Sequence, residues 1–290
     1  MHKLFNFPID CFSPQVPLNK PEIIETDLGL YIYDRNPDVL NAYEAFDTIE
    51  IIPSLINLVE KIERTGESWS YWSESNANIK LAINWMKKWG HLKAEKGPNN
   101  QFYGERISGF FQESIKFYKL WELYKAVANR DLPTLKKITE VYDGDLEDQI
   151  RIAEDQLVFC FWENEFFRGE VISSYDEKNL LKSYQYAAIT YLGDVIETYI
   201  NNSHLYSGKI EITKSQEKDI IKFKPALAFF SLLEVVYMQF YILLSENTKK
   251  ICPICNKPFL PERQDKKYCS DTCKHTAKSR RYRTRKSQII

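Results

Sequence analysis

Cys252-Pro253-Ile254-Cys255 and Cys269-Ser270-Asp271-Thr272-Cys273 place four thiols within 22 residues, with thirteen residues between the two pairs. Thiolates are soft ligands, and zinc takes four of them tetrahedrally. A tight turn aims the first two sulfurs at one ion, and a second element supplies the other two. The loop so closed is too small to own a core; Pro258, Phe259, Leu260 and Tyr268 are the side chains available to cover a metal. The spacing departs slightly from the commonest four-cysteine pattern. Four cysteines leave no open coordination position, so the expected metal is a structural zinc held by Cys252, Cys255, Cys269 and Cys273. His275 is an alternative to Cys273 as fourth ligand, but its place in a basic run suits a surface residue or a phosphate contact.

The second pair reads as a helix start. Ser270 is a good N-cap, Asp271 suits the first turn, and Cys273 then lies within that turn. A knuckle followed by a helix that carries the last ligands is the arrangement of a treble-clef-like finger. Seven of the thirteen residues from Lys274 to Lys286 are basic, and none is acidic: Lys274, Lys278, Arg280, Arg281, Arg283, Arg285 and Lys286. On a helix Lys274, Lys278, Arg281 and Arg285 form one row, flanked by Arg280 and Arg283. Without partners these charges repel one another, and phosphates are the anions that suit them. Tyr282 is placed either to stack on an exposed base or to pack on the finger.

These stretches resemble bacterial proteins that carry a CGNR-type zinc finger behind a helical ABATE-like domain. The likeness is carried by Cys252-Pro253-Ile254-Cys255, Lys257-Pro258-Phe259, Tyr268-Cys269-Ser270 with Cys273, and Arg280-Arg281-Tyr282-Arg283-Thr284-Arg285-Lys286. The apolar helix before the finger fits as well, and Trp85-Met86-Lys87-Lys88-Trp89-Gly90-His91-Leu92 fits loosely. The resemblance implies a nucleic-acid-binding protein with a regulatory role in transcription. The name-giving Cys-Gly-Asn-Arg is here Cys273-Lys274-His275-Thr276, so roles of those Gly, Asn and Arg residues do not transfer.

Charge divides the chain in the same place. Residues 249–290 hold 13 basic and three acidic residues, a net +10, whereas residues 1–248 hold 26 basic and 37 acidic, a net −11. Such asymmetry points to a division of labour between a polyanion-binding segment and a body. Cys11 and Cys160 stand alone. Two isolated cysteines plus one tight quartet suit metal ligation in a reducing, cytoplasmic setting better than a secreted disulfide framework. The N-terminus has no continuous apolar stretch, so no secretory signal is expected.

The elements that must hold this finger read mainly as α-helix, with residues 1–248 forming a helical bundle domain and 249–290 the finger. Residues 1–50 read as irregular apart from a strand at Leu28–Tyr33. Helices are expected from Pro53, over Asn78–Trp89 with Gly90 as the stop, and over Glu105–Asn129. Further helices are expected over Leu135–Tyr142, Asp145–Phe166 and Lys178–Tyr199, although Leu157–Trp162 also reads as a strand. Ala226–Leu244 contains 19 residues with only Ser231, Glu234 and Gln239 polar. That length just spans a bilayer, but a central glutamate is costly there, so a buried core helix is expected and no membrane partner. The aromatic stripes of the helices are read as core packing. The domain boundary is placed near Glu246–Lys250.

No phosphate-binding glycine loop, zinc-protease helix, nucleophile elbow or dinucleotide fingerprint occurs. His2, His91, His204 and His275 are scattered, and Glu163 and Glu165 have the spacing of a solvated face. The expected function is therefore not catalytic; the enzymatic alternative is an active site in the helical body, with the finger used for localisation. The expected function is zinc-dependent binding of DNA or RNA through the 274–286 helix, with a homodimer through the body as a way to supply a second finger. The alternative is a protein-interaction module whose basic finger docks on an acidic partner or on the chain's own acidic body.

Overall fold

The computed structural model describes all residues except 1–9, 13, 36, 38–41, 47, 49, 99–101, 143–155, 165–166, 201–203, 207–209, 215–218, 224–225, 246–249, 256–257, 260–264 and 288–290. Among the described residues the chain is mainly helical: α1 Ile51–Glu63, α2 Asn76–Trp89, α3 Ile107–Ala128, α4 Leu132–Ile138, α5 Leu180–Ile200, α6 Leu232–Ser245 and α7 Asp271–Ser287. It divides into two compact units, one of Gln112–Asn201 and the other of Met1–Phe111 with Asn202–Ile290. The finger residues belong to the second of these. The boundary expected near Glu246–Lys250 falls largely outside the described residues.

The larger unit contains an antiparallel sheet built from β1 Pro21–Thr26, β2 Gly29–Asp34, β3 Glu95–Lys96 and β4 Tyr103–Arg106, in the order β1-β2-β4-β3. The strand expected at Leu28–Tyr33 is β2, shifted by one residue, and it buries Tyr31, Ile32 and Tyr33. Helix α1 starts at Ile51, two residues before Pro53, and buries Leu55, Ile56, Val59 and Ile62 at helical spacing. Helix α2 buries Ile79, Ala82, Trp85, Met86 and Trp89, and the Trp89 indole donates to Ser54 Oγ across 2.6 Å to join the two helices. Gly90 ends α2 as expected, with φ of +87° and its N–H on the Met86 carbonyl at 2.7 Å. A Cβ at this position would sit 2.6 Å from the Val16 carbonyl oxygen, so both conformation and space require glycine.

The apolar stretch at 226–244 is divided. Ala226–Ala228 is a strand lying between Asp10–Phe12 and His204–Tyr206. Helix α6 begins after Ser231, whose Oγ accepts the Glu234 N–H at 3.2 Å, while Glu234 Oε2 accepts the Phe230 N–H at 2.8 Å. These two capping bonds account for the glutamate that made a membrane span unattractive. Gln239 is buried and donates its amide to the carbonyls of Ala45, Phe46 and Thr48 at 2.9–3.3 Å. Leu232, Leu233, Val235, Val236, Met238 and Phe240 fill the core around it. Among the described residues no helix is long and apolar enough to cross a membrane.

The smaller unit corrects two helical expectations. The segment expected as helix over Asp145–Phe166 contains β6 Gln156–Asn164, paired with β5 Thr139–Tyr142 and β7 Phe167–Ser174 in the antiparallel order β7-β6-β5; residues 143–155 are not described. The run Val158-Phe159-Cys160-Phe161 is buried throughout, which suits a strand with neighbours on both edges and side chains covered on both faces. Helix α4 ends at Ile138, before the β-branched Thr139 and Val141 that join β5. Its start is capped by Asp131, which accepts from Thr134 N–H at 3.1 Å and Thr134 Oγ1 at 2.7 Å. Helix α5 packs on the sheet through Tyr191, stacked on Phe161 at 5.0 Å, and Tyr184, edge-on to Phe159 at 5.5 Å.

Candidate metal centre

The first cysteine pair sits on a short hairpin, β8 Lys250–Ile251 paired antiparallel with β9 Pro258–Phe259. Cys252 follows β8 directly, and the turn at Pro253–Cys255 carries Cys255 back toward it. Cys269 precedes α7, and Cys273 lies in the first turn of α7. Ser270 caps that helix, its Oγ accepting the Cys273 N–H at 3.3 Å, and the Ser270 carbonyl takes the Lys274 N–H at 3.1 Å. The cap therefore fixes the angle at which the fourth sulfur is presented.

All four sulfurs lie within 4.8 Å of one another. Cys255 Sγ and Cys269 Sγ are 3.5 Å apart, and Cys269 Sγ and Cys273 Sγ are 3.6 Å apart. A disulfide would bring a pair to about 2.05 Å, so these are separate thiols. Four sulfurs at about 2.3 Å from one tetrahedral ion stand about 3.8 Å apart, close to the spacing found here. Cys252 is fully buried and the other three are half-buried. Burial pushes the Cys252 thiol up, but the backbone N–H groups of Cys269, Ile254 and Cys255, with the Cys255 side chain, outweigh it and bring the thiol down to about 7. Donors already aimed at Cys252 favour the thiolate form, the form that ligates metal. Burial raises Cys269, helped by the neighbouring Cys252 and Cys273 thiols and opposed by Cys255 and Ser270. The donor set is chemically suited to a metal ion, and among the described residues the cluster is made of these four cysteines. His275 is exposed and lies outside the sulfur cluster, which leaves Cys273 as the fourth donor.

Helix α7 turns Cys273, Thr276 and the buried Ala277 inward. Lys274, Lys278, Arg280 and Arg281 are exposed. The Arg281 guanidinium donates to the Tyr268 hydroxyl at 3.0 Å, a link that the sequence did not suggest because the two residues are thirteen apart. Arg283, Arg285 and Lys286 lie on α7, but their side chains are outside the described part of the structure. Of the two roles open to Tyr282, packing on the finger is excluded, since the side chain is 70% exposed. Phe259 and Tyr268, named as cover for a metal, are both half-buried.

No family model, curated protein or solved structure matches this chain.

Elsewhere, one pairing of titratable groups emerges that sequence spacing did not suggest. His91 Nδ1 lies 3.7 Å from Glu105 Oε2, and Glu105 is almost fully buried. Both carboxylate oxygens of Glu105 are already engaged, by the Leu92 N–H at 2.6 Å and the Lys93 N–H at 2.9 Å. The group anchors the loop after α2 to β4, and this structural work accounts for its burial. Glu163, Glu165, His2 and His204 fall where side chains are not described.

Proposed function

We propose that this chain binds nucleic acid through a treble-clef-like finger in which Cys252, Cys255, Cys269 and Cys273 hold a structural zinc ion. When bound, the ion supplies a tetrahedral cross-link between the hairpin and the start of α7. The chain's own residues do the rest. Ser270 sets the helix start, Arg281 braces the third turn on Tyr268, and Lys274 and Lys278 are left exposed on one face. The observation that carries the reading is this exposed cationic face on a helix fixed at its root by two cysteines. Among the described residues neither Lys274 nor Lys278 has an ion-pair partner. Their mutual repulsion is relieved by an external polyanion, and phosphate oxygens suit both lysine and arginine. The same exposure supports an external ligand over docking on the chain's own acidic residues.

The resemblance to CGNR-type fingers agrees with this reading and adds a regulatory role in a bacterium, and the cysteine pattern suits a reducing, cytoplasmic setting. A lone finger makes few contacts, so a homodimer that offers two fingers would raise affinity through effective concentration.

Lys274→Ala/Lys278→Ala tests the reading without touching the brace or the ligands. Salt-series titration with nucleic acid should show weaker binding and a logarithmic salt slope shallower by about two. Unchanged nucleic-acid binding, with loss of an acidic protein partner instead, would assign the finger to protein recognition.

A further inference from the structure

Tyr282 is the most exposed of the large apolar and aromatic side chains among the described residues, at 70%. It stands on a helix of sequence Asp-Thr-Cys-Lys-His-Thr-Ala-Lys-Ser-Arg-Arg-Tyr-Arg-Thr-Arg-Lys-Ser, where every neighbour is polar or charged. The inward face of α7 is made by Cys273, Thr276 and Ala277, so the ring neither covers the sulfurs nor contributes to the core. At 100° per residue, Tyr282 lies about 40° around the helix from Lys278 and about 80° from Lys274. The ring therefore shares the outer face with the exposed lysines, one turn beyond Lys278.

An aromatic ring beside cations on a solvent face can engage a nucleic acid in two ways. In a duplex both faces of each base are covered by its neighbours, and the ring meets only edges and backbone. In a single strand a base offers a free face, and stacking on it adds affinity with little regard to sequence. We propose that the finger selects single-stranded nucleic acid, with Tyr282 stacking on one unpaired base while Lys274 and Lys278 neutralise phosphates of the same strand. This rests on the nucleic-acid reading above and adds the form of the ligand. Stacking needs the ring and not the hydroxyl, and it removes no charge from the protein, so it separates from the phosphate contacts in experiment.

The test uses the full chain loaded with zinc and its Tyr282→Ala and Tyr282→Phe variants. Each is titrated at one low salt concentration with an oligo-dT, an oligo-rU of equal length, an abasic deoxyribose-phosphate strand and a DNA duplex. The wild-type chain should bind at least one of the base-bearing single strands more tightly than the duplex, and the better of the two names the sugar preferred. Tyr282→Ala should weaken that binding by roughly 5- to 150-fold, and Tyr282→Phe should leave it within about twofold. The abasic strand and the duplex should bind both variants as they bind the wild type. Preference of the wild type for duplex, or a Tyr282→Ala variant that binds every ligand as well as the wild type, overturns the proposal while leaving phosphate binding intact. Absence of binding to all four ligands overturns the nucleic-acid reading itself.

Discussion

The Arg281 guanidinium reaches back to the Tyr268 hydroxyl across 3.0 Å, tying the third turn of α7 to the residue that precedes a cysteine of the metal centre. One side chain thus serves as brace and as cation, and two substitutions separate the roles. Tyr268→Phe removes the acceptor alone; it should cost about 0.5 kcal/mol of finger stability and leave the salt slope of nucleic-acid binding unchanged. Arg281→Ala should lower that slope by about one as well. Equal slopes for wild type and Arg281→Ala would remove Arg281 from the phosphate-binding face.

Ser270 presents the second cysteine pair, since its Oγ holds the Cys273 N–H. Ser270→Ala should cost about 1 kcal/mol of helix stability, and Ser270→Gly only a few tenths. Because metal binding and folding of such a site are coupled, the alanine variant should bind zinc about fivefold more weakly in competition with a chelator. Equal zinc affinity for the two proteins would show that the cap does not position Cys273.

Removal of metal should melt α7 selectively. Its 17 residues carry one acidic residue against seven basic ones, and a helix of that length and charge is marginal in water without support. Chelation should reduce helical circular dichroism by the share of α7 alone, while α1, α2 and α6 keep their buried faces and their cooperative unfolding. Global unfolding on chelation would mean that the metal organises more than the finger.

Gly90 tests the packing of the larger unit independently of the metal. With φ at +87° and the Val16 carbonyl 2.6 Å from any added Cβ, Gly90→Ala should destabilise by more than about 1 kcal/mol in denaturant titration. A loss below about 0.3 kcal/mol would show that the turn after α2 relaxes freely.

Much of this arrangement was legible because it is local. The sulfur cluster follows from two short spacings, Ser270 from its place before Asp271, and α1 and α2 from apolar residues at helical intervals. Gly90 announced its own role as a stop. What escaped depends on partners distant in sequence. Val158–Phe161 is apolar at every position, so its periodicity distinguishes helix from strand poorly, and the pairing with Thr139–Tyr142 and Phe167–Ser174 decides. The division of Ala226–Leu244 into a strand and a helix turns on two capping bonds, Glu234 N–H to Ser231 Oγ and Phe230 N–H to Glu234 Oε2. Likewise, neither Arg281 nor Tyr268 carries any local sign of the other.

The central claim is that a zinc-organised finger binds nucleic acid, and one titration addresses it most directly. The zinc-loaded chain and its Cys252→Ser/Cys255→Ser variant would each be titrated with DNA duplex and with single-stranded RNA across a salt series. Binding by the wild type that weakens steeply as salt rises, and that the variant loses, is the expected result. No binding to either ligand at low salt, or equal binding by the variant, would contradict it.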